Sequence, residues 1–473
     1  MAVSEPQDLF PLPLTAFEQF MLADESQEYP MVFYLQTQLS GVVDRAVMRR
    51  AVDETLARHP LLGCHVRRVD GRLCWVWAGD QIPEADWDPQ HWQGEQPWRQ
   101  AIDLTSEIGL RVWGEQTDER ATLTLQFHHA CCDGIAAAQF LEDIAVSYAR
   151  HYAICHQTEE ELPELRPLDL QLLKTRNDRA GRRVANVHGG LLRRVRVLLK
   201  YTIRYLRQIK LPIAADDALV ASDPQQGLGL LETRLDRKQT RALRDAARSH
   251  NASLNDLLVC ELMHAAHQWN HQLPDWKPPQ RWWKQPTWCV LVPTSLRGPA
   301  DASLPASNVV SYVFMARNLS LLQDPAALLH SVRDEMQLVH KHQGGWLFVQ
   351  AIESMQKIPG LMRLIMKRTA NSCMSTTVLS HMGNLLNAVG SRLPRQDGSI
   401  RMGNLLVEQI GGVPPVRQGT AVAFSTMMVG GQLVISMRCC ARRFSRQAAE
   451  RLLEQFAAQL RAHGETHPLH VGQ

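Results

Sequence analysis

The sequence predicts an α+β protein of two lobes joined by a basic connector, and three observations predict it. Amphipathic helical stretches alternate with strand-like runs near both ends. A hairpin signal stands in each part, Asp70-Gly71 in one and Gly430-Gly431 in the other, each between alternating apolar runs. Between them, residues 155–228 break the pattern. Residues 165–210 carry thirteen Lys or Arg against Asp169 and Asp178, a net +11 that leaves −8 for the rest of a chain whose total is +3. The expected division is therefore 1–154, a connector at 155–228, and 229–473. At 473 residues and 45% apolar, the chain can bury a substantial core.

The elements follow in order. "PLTAFEQFMLA" (13–23) reads as a short helix with Thr15 as N-cap and Glu18 in the capping-box position. "VFYLQTQLSG" (32–41) alternates as a strand. "DRAVMRRAVDETLARHP" (44–60) places Ala46, Val47, Ala51, Val52 and Leu56 at helical spacing and ends before Pro60. In the connector, 191–210 shows a helical apolar stripe with Arg and Lys on the remaining face. Such a helix either lies on an anionic membrane or acidic partner, or bridges the lobes with its charges in water. Beyond it, 234–269 predicts two helices with a turn at His250-Asn251 and a second start near Ser253. "WCVLVPTSLRG" predicts a strand, "DPAALLHSVRDEMQLVHKH" a helix, and 445–464 a last helix from Ser445 to a stop at Gly464.

Several classes are disfavoured. The amino terminus lacks the features of a signal peptide, and no apolar run is long enough to span a bilayer. Ten cysteines without a CxxC suit neither a disulfide scaffold nor zinc spacing, so a reduced, cytoplasmic protein is expected. The small net charge gives no reason to expect nucleic-acid binding.

The chemistry gathers at "LTLQFHHACCDGIAAAQF" (123–140). Leu123, Leu125 and Phe127 fall on one face of a strand, Thr122, Thr124 and Gln126 on the other. If the strand continues, His128 extends the polar face and His129 the apolar one. Asp133 precedes a helix and can cap it. A neutral histidine held between strand end and helix start is suited to act as general base near pH 7. Side-by-side histidines point to opposite faces, which argues against a metal site. Nothing in the sequence lowers the thiol pKa of Cys131 or Cys132. On the residues alone two readings stay open: a base on a rigid loop, or packed histidines beside a capping aspartate.

The HHxxxDG pattern "HHACCDG" resembles that of the condensation-domain superfamily, which includes chloramphenicol acetyltransferase, wax ester synthases and polyketide-associated acyltransferases. "PLPLTAFEQFMLAD", "RHPLL" (58–62), "SLNDLL" (253–258), "VPTSLRG" (292–298), "PASNVVS" (305–311) and "LSHMGN" (379–384) are similar to further segments of that group and follow in its order. The resemblance implies two chloramphenicol-acetyltransferase-like α/β-sandwich lobes in a V-shaped pseudo-dimer with a tunnel between them. It implies that His129 is the general base, that His128 is its packing neighbour, that Asp133 pairs with Arg297, and that Gly134 allows close backbone approach. The family's Ser-Asn-x-Gly stands here as Ser380-His381-Met382-Gly383, which leaves Ser380 and Gly383 as substrate contacts and no asparagine. Asn308 is expected at a strand end and as a further substrate contact, and Asn255-Asp256 as a cap and ion pair. His264, His267 and His271 share one helix face, read as solvated or interlobe rather than metal-binding.

The implied activity is acyl transfer from acyl-CoA, or from a separate acyl or peptidyl carrier protein, to an alcohol or amine, with no bound cofactor and no metal. A non-catalytic domain that binds carrier protein or lipid is the alternative. Peripheral membrane contact through 190–210 is a further expectation.

Overall fold

The computed structural model describes residues 6–79, 83, 101–158, 162–176, 207–215, 229–279, 281–341, 344–369, 372–384, 393–396 and 399–465. Strand β1 (Leu12–Pro13) leads into helix α1 (Ala16–Asp24), where Thr15 accepts the Glu18 N–H and Glu18 returns to the Thr15 N–H at 2.8 Å. The capping box is thus formed. Glu18 is completely buried, and its carboxylate also receives Trp75 Nε1–H at 3.0 Å and both Nε and Nη2 of Arg176 at 2.8 Å. That bidentate pair ties the start of the connector into the first lobe.

Strand β2 (Val32–Ser40) is followed by α2 (Arg45–Arg58), capped by Asp44 and ended by Pro60. Strands β3 (Cys64–Val69) and β4 (Arg72–Trp77) turn at Asp70-Gly71, with φ of 46° and 78°. Strands β5 (Leu110–Thr117) and β6 (Arg120–His128) form a second hairpin, and α3 (Gly134–His156) follows.

Within the connector stands β7 (Gln208–Lys210), and beyond it come β8 (Leu231–Leu235), α4 (Arg237–Ser249) and α5 (Leu254–His271). Asn251 takes φ of 52° at the predicted turn, and Ser253 with Asp256 closes a capping box. Next are β9 (Gln285–Ser295), β10 (Val310–Asn318), α6 (Pro325–Lys341), α7 (Trp346–Gln356), α8 (Leu361–Thr369) and β11 (Thr377–His381). Strands β12 (Arg395–Gln396), β13 (Ser399–Met402), β14 (Leu405–Val413), β15 (Val422–Val429) and β16 (Gln432–Cys439) precede α9 (Arg446–Glu465), which runs through Gly464 rather than stopping there.

Residues 208–210 correct the helix read over 191–210. They pair in parallel with 285–287 of β9, a tertiary partner that a local apolar stripe cannot reveal. The remainder of that stretch, 191–206, lies outside the described residues.

Three sheets result: β1-β4-β3, a six-stranded sheet β12-β13-β14-β2-β6-β5, and a seven-stranded sheet β10-β9-β11-β15-β16-β8 with β7 beside β9. The six-stranded sheet draws β12–β14 from the carboxyl-terminal part of the chain. Strand β14 pairs antiparallel with β2 from Val413↔Tyr34 to Leu406↔Ser40. Sheet membership therefore does not follow a linear division at residue 229. One core fills the first lobe and extends to Leu296, Trp346 and Ile410, and a second packs α4, α5, α6 and α9 on the seven-stranded sheet.

Candidate active site

The apolar face of β6 packs on α3, with the Phe127 and Phe140 rings edge to face at 5.8 Å. Its polar face is buried as well: Thr124, Gln126 and His128 are all shielded. Gln126 Nε2 donates to the Tyr34 hydroxyl at 3.2 Å, and Arg438 of the second lobe lies 5.3 Å over the Tyr34 ring. Gln126 therefore looks toward the second lobe and not into water.

The strand ends at His128, so the alternation predicted to carry His129 to the apolar face stops one residue earlier. His128 is completely buried. Its Nδ1 accepts the Ala130 N–H at 3.1 Å, which assigns the proton to Nε2, and Nε2 then donates to Glu25 Oε2 at 3.1 Å. Both nitrogens are occupied. Glu25, just beyond α1, is held in turn by the Met31 N–H at 3.1 Å.

His129 is placed differently. Its N–H bonds to Met31 C=O at 2.8 Å, and its C=O receives Asn308 Nδ2 at 2.5 Å. Asn308 Nδ2 also stands 3.5 Å from His129 Nδ1, and the Phe33 ring lies 5.0 Å from the imidazole. The residue as a whole is partly exposed. Burial pushes its pKa below the ordinary histidine value and the His128 ring adds to this. The carbonyl oxygens of His129 and Cys132 and the Asp133 carboxylate oppose it. The imidazole is neutral at pH 7. Asn308 Oδ1, by contrast, is buried without a hydrogen-bond partner among the described residues.

Asp133 caps α3 through Oδ1, which accepts the Ala136 N–H at 3.0 Å. Its Oδ2 accepts both Arg297 Nη1 and the Val309 N–H at 2.7 Å. Arg297 is anchored further by Nη2 to Ser307 C=O at 2.8 Å. Asp133 and Arg297 are thus brought together across the lobes. A Cβ on Gly134 would lie 2.9 Å from Sδ and Cε of Met382, so the close approach at this glycine is that of a side chain and not of backbone.

Ser380 Oγ donates to Met382 Sδ at 3.6 Å, and this thioether stands between Ser380 and the start of α3. Gly383 has φ of 60°, and its C=O receives the Met428 N–H at 2.7 Å, so its place is fixed by backbone conformation. His381 Nδ1 meets Thr426 Oγ1 at 2.8 Å, and burial lowers its pKa to about 4. Cys131 and Cys132 are completely buried and their thiol pKa values are raised by that burial, the reverse of an activated nucleophile.

Asp256 caps α5 through the Ser253 N–H at 2.8 Å and makes no ion pair among the described residues. His267 Nδ1 accepts Trp288 Nε1–H at 3.3 Å, and the His271 ring lies 4.2 Å from that of His267. His267 and His271 are thus part of an aromatic cluster with Trp276 and Trp288. Among the described residues, no group of three or more His, Cys, Asp or Glu is arranged to hold a metal ion. No described helix is long and apolar enough to cross a membrane.

A groove of about 820 Å³ runs between the end of α1 (Gln19, Asp24, Glu25) and α8 (Met362, Met366, Lys367). Through Glu25 it touches the residue that holds His128. Arg417 pairs with Asp24 at its wall, and burial raises the Asp24 pKa to about 6 against the pull of Arg417. Sequence reasoning missed Glu25, Met382 and this groove, because each acquires its place only through tertiary contact.

Neither a protein-family model nor a curated protein matches the chain. Solved structures do. The polyketide synthase associated protein 5 from Mycobacterium tuberculosis superposes with a TM-score of 0.61 at 16% identity, covering 96% of this chain and 98% of that one. The epimerization domain from the third module of tyrocidine synthetase B gives 0.63 at 15%, covering 96% and 97%. The starter condensation domain of rhizomide synthetase, in complex with C8-CoA and Leu-SNAC, gives 0.60 at 15%, covering 96% and 94%. The chain therefore has the two-lobed condensation-domain fold over nearly its whole length. Because that fold is shared with an epimerization domain, it does not by itself select the chemistry.

Proposed function

We propose that the protein transfers an acyl group from a thioester donor, acyl-CoA or an acyl or peptidyl carrier protein, to a hydroxyl or amine, with His129 as general base. The observation that carries this is the contrast between two adjacent histidines. His128 has both ring nitrogens engaged, whereas His129 is neutral, partly exposed and clamped at both its N–H and its C=O. In this scheme Asn308 Nδ2 donates its N–H to the His129 carbonyl, Nδ1 carries the imidazole proton toward backbone carbonyl oxygen, and Nε2 is left for the acceptor proton. As Nε2 takes that proton, the acceptor oxygen or nitrogen bonds to the thioester carbon and its oxygen becomes an oxyanion. Collapse breaks the C–S bond, and the imidazolium returns its proton to the leaving thiolate. Asp133 and Arg297 act in this scheme by fixing the loop. In this scheme the groove at Glu25, with apolar Met362 and Met366 beside cationic Lys367 and Arg363, is the docking surface for an anionic donor.

The test is a panel of acyl-CoA and acyl-carrier donors, read by free thiol, against mixed alcohols and amines. His129→Ala should abolish thiol release with the circular dichroism spectrum unchanged. Turnover retained in that variant defeats the assignment.

A further inference from the structure

The segment between α5 and β9 contains three tryptophans, at 276, 282 and 283, and β9 itself carries a fourth at 288. Two are used internally. Trp288 is fully buried in the second core, and Trp276 stacks beside it with ring centroids 6.1 Å apart. The other two face water: Trp282 is 97% and Trp283 47% exposed. They form the tip of a tight turn closed by the Lys284 N–H on Arg281 C=O at 3.1 Å and by an Arg281–Lys284 bridge. An indole carries roughly 150–250 Å² of mostly apolar surface, so holding two of them outward costs free energy that some occupant should recover.

Cations flank the tip along the chain. Arg281 and Lys277 are exposed, and Lys284 Nζ lies 4.5 Å over the Trp283 ring. Exposed Arg207 reaches the same edge, its C=O receiving the Gln285 N–H at 2.9 Å. Asp275 is the one acidic residue between α5 and β9. The end of the +11 stretch is thus pinned beside the tryptophans by the pairing of β7 with β9.

We propose that the Trp282-Trp283 turn is a peripheral membrane anchor that inserts into the interface of an anionic bilayer, with Lys277, Arg281, Lys284 and Arg207 on the headgroups. Indoles favour the headgroup level, where an apolar ring meets fluid chains and the N–H meets water. A protein partner would need about 800 Å² on each side, and a two-residue convex tip does not offer that. The anchor is distinct from residues 190–206 and independent of which acyl group the protein handles.

The experiment is co-sedimentation of the full chain with phosphatidylcholine vesicles, with and without phosphatidylglycerol, at low and raised salt. Wild type should pellet with the anionic vesicles, with a blue-shifted tryptophan emission. Trp282→Ser/Trp283→Ser should weaken partition at least about tenfold, with unchanged melting because both sites are exposed. Lys277→Glu/Arg281→Glu should weaken it by at least about fivefold per cation, less so in high salt. Absence of partition overturns the proposal, as does equal partition of the double-tryptophan variant. Self-association of wild type that this variant abolishes, without vesicle binding, would assign the tip to a second copy and equally overturn it.

Discussion

Asp133 is the residue whose removal separates positioning from chemistry. Its carboxylate accepts three hydrogen bonds, and its side chain is 3% exposed against 14% for Arg297. Asp133→Ala removes the cap of α3, which costs about 1 kcal/mol. It leaves the buried Val309 N–H unpaired, about 1–3 kcal/mol. It also strands the Arg297 charge, about 3–5 kcal/mol for removing one partner of a buried pair. The last two costs overlap, since both donors point at the same oxygen, so the expected loss is about 4–6 kcal/mol. That rivals the total stability of a typical domain, about 5–15 kcal/mol. Arg297→Met in the same chain removes the stranded guanidinium, so the double variant should lose at least about 2 kcal/mol less than the two single losses combined. Urea unfolding followed by circular dichroism measures all three. A loss under about 1 kcal/mol for Asp133→Ala, or additive singles, would refute the reasoning. Intact stability with lost turnover would place Asp133 in the chemistry itself.

Other outcomes follow from the same contacts. Because burial holds the His129 pKa below 6.5, the base is available at neutral pH, and the acid limb of kcat/KM should fall below pH 6.5; a limb at or above it contradicts the environment described. The lowered pKa also means that the folded state resists protonation there, so this residue's contribution to stability is present above 6.5 and is lost on acidification. Glu232, a half-buried residue of β8 that receives Gln409 Nε2 at 2.5 Å and Ser436 Oγ at 2.7 Å, has a carboxyl pKa raised by burial. The folded state binds its proton more tightly, so its contribution to stability declines as pH rises above its ordinary 4.5. Glu232→Gln should then gain on wild type in thermal melts at pH 8 relative to pH 5, and an equal gap at both would contradict this. Gly134→Ala should cost about 1 kcal/mol, the low end for overpacking, because the flexible tip of Met382 can yield. Adding Met382→Ala should remove the overpacking, and a Gly134→Ala cost that persists in the double variant would show that backbone, not Met382, is the obstacle.

What the sequence made legible is what local chemistry decides. Thr15 and Glu18, Ser253 and Asp256, Asp70-Gly71 and Gly430-Gly431 act within four residues of chain, and the structure places each as its spacing requires. The Asp133–Arg297 pair spans 164 residues and came only through resemblance, since no local spacing links them. Strand β7 and the return of β12–β14 were not legible, because each depends on an edge supplied from far away in the chain. Glu25 reads as the charged end of a helix until the fold sets it against His128.

The reason the two histidines diverge is that the loop between β6 and α3 is finished by the second lobe. Asn308 clamps the His129 carbonyl, Arg297 and Val309 hold Asp133, and Met382 covers Gly134. Strand β14 meanwhile covers the edge of β2, whose register places Val32 opposite His128. A fragment ending at residue 154 would lose all of these at once. It would bare the β2 edge from Tyr34 to Ser40, and it would leave His129 with the Met31 bond alone. The geometry around His129 is therefore a property of the joined lobes, and any perturbation that parts them should alter the site before it unfolds either core.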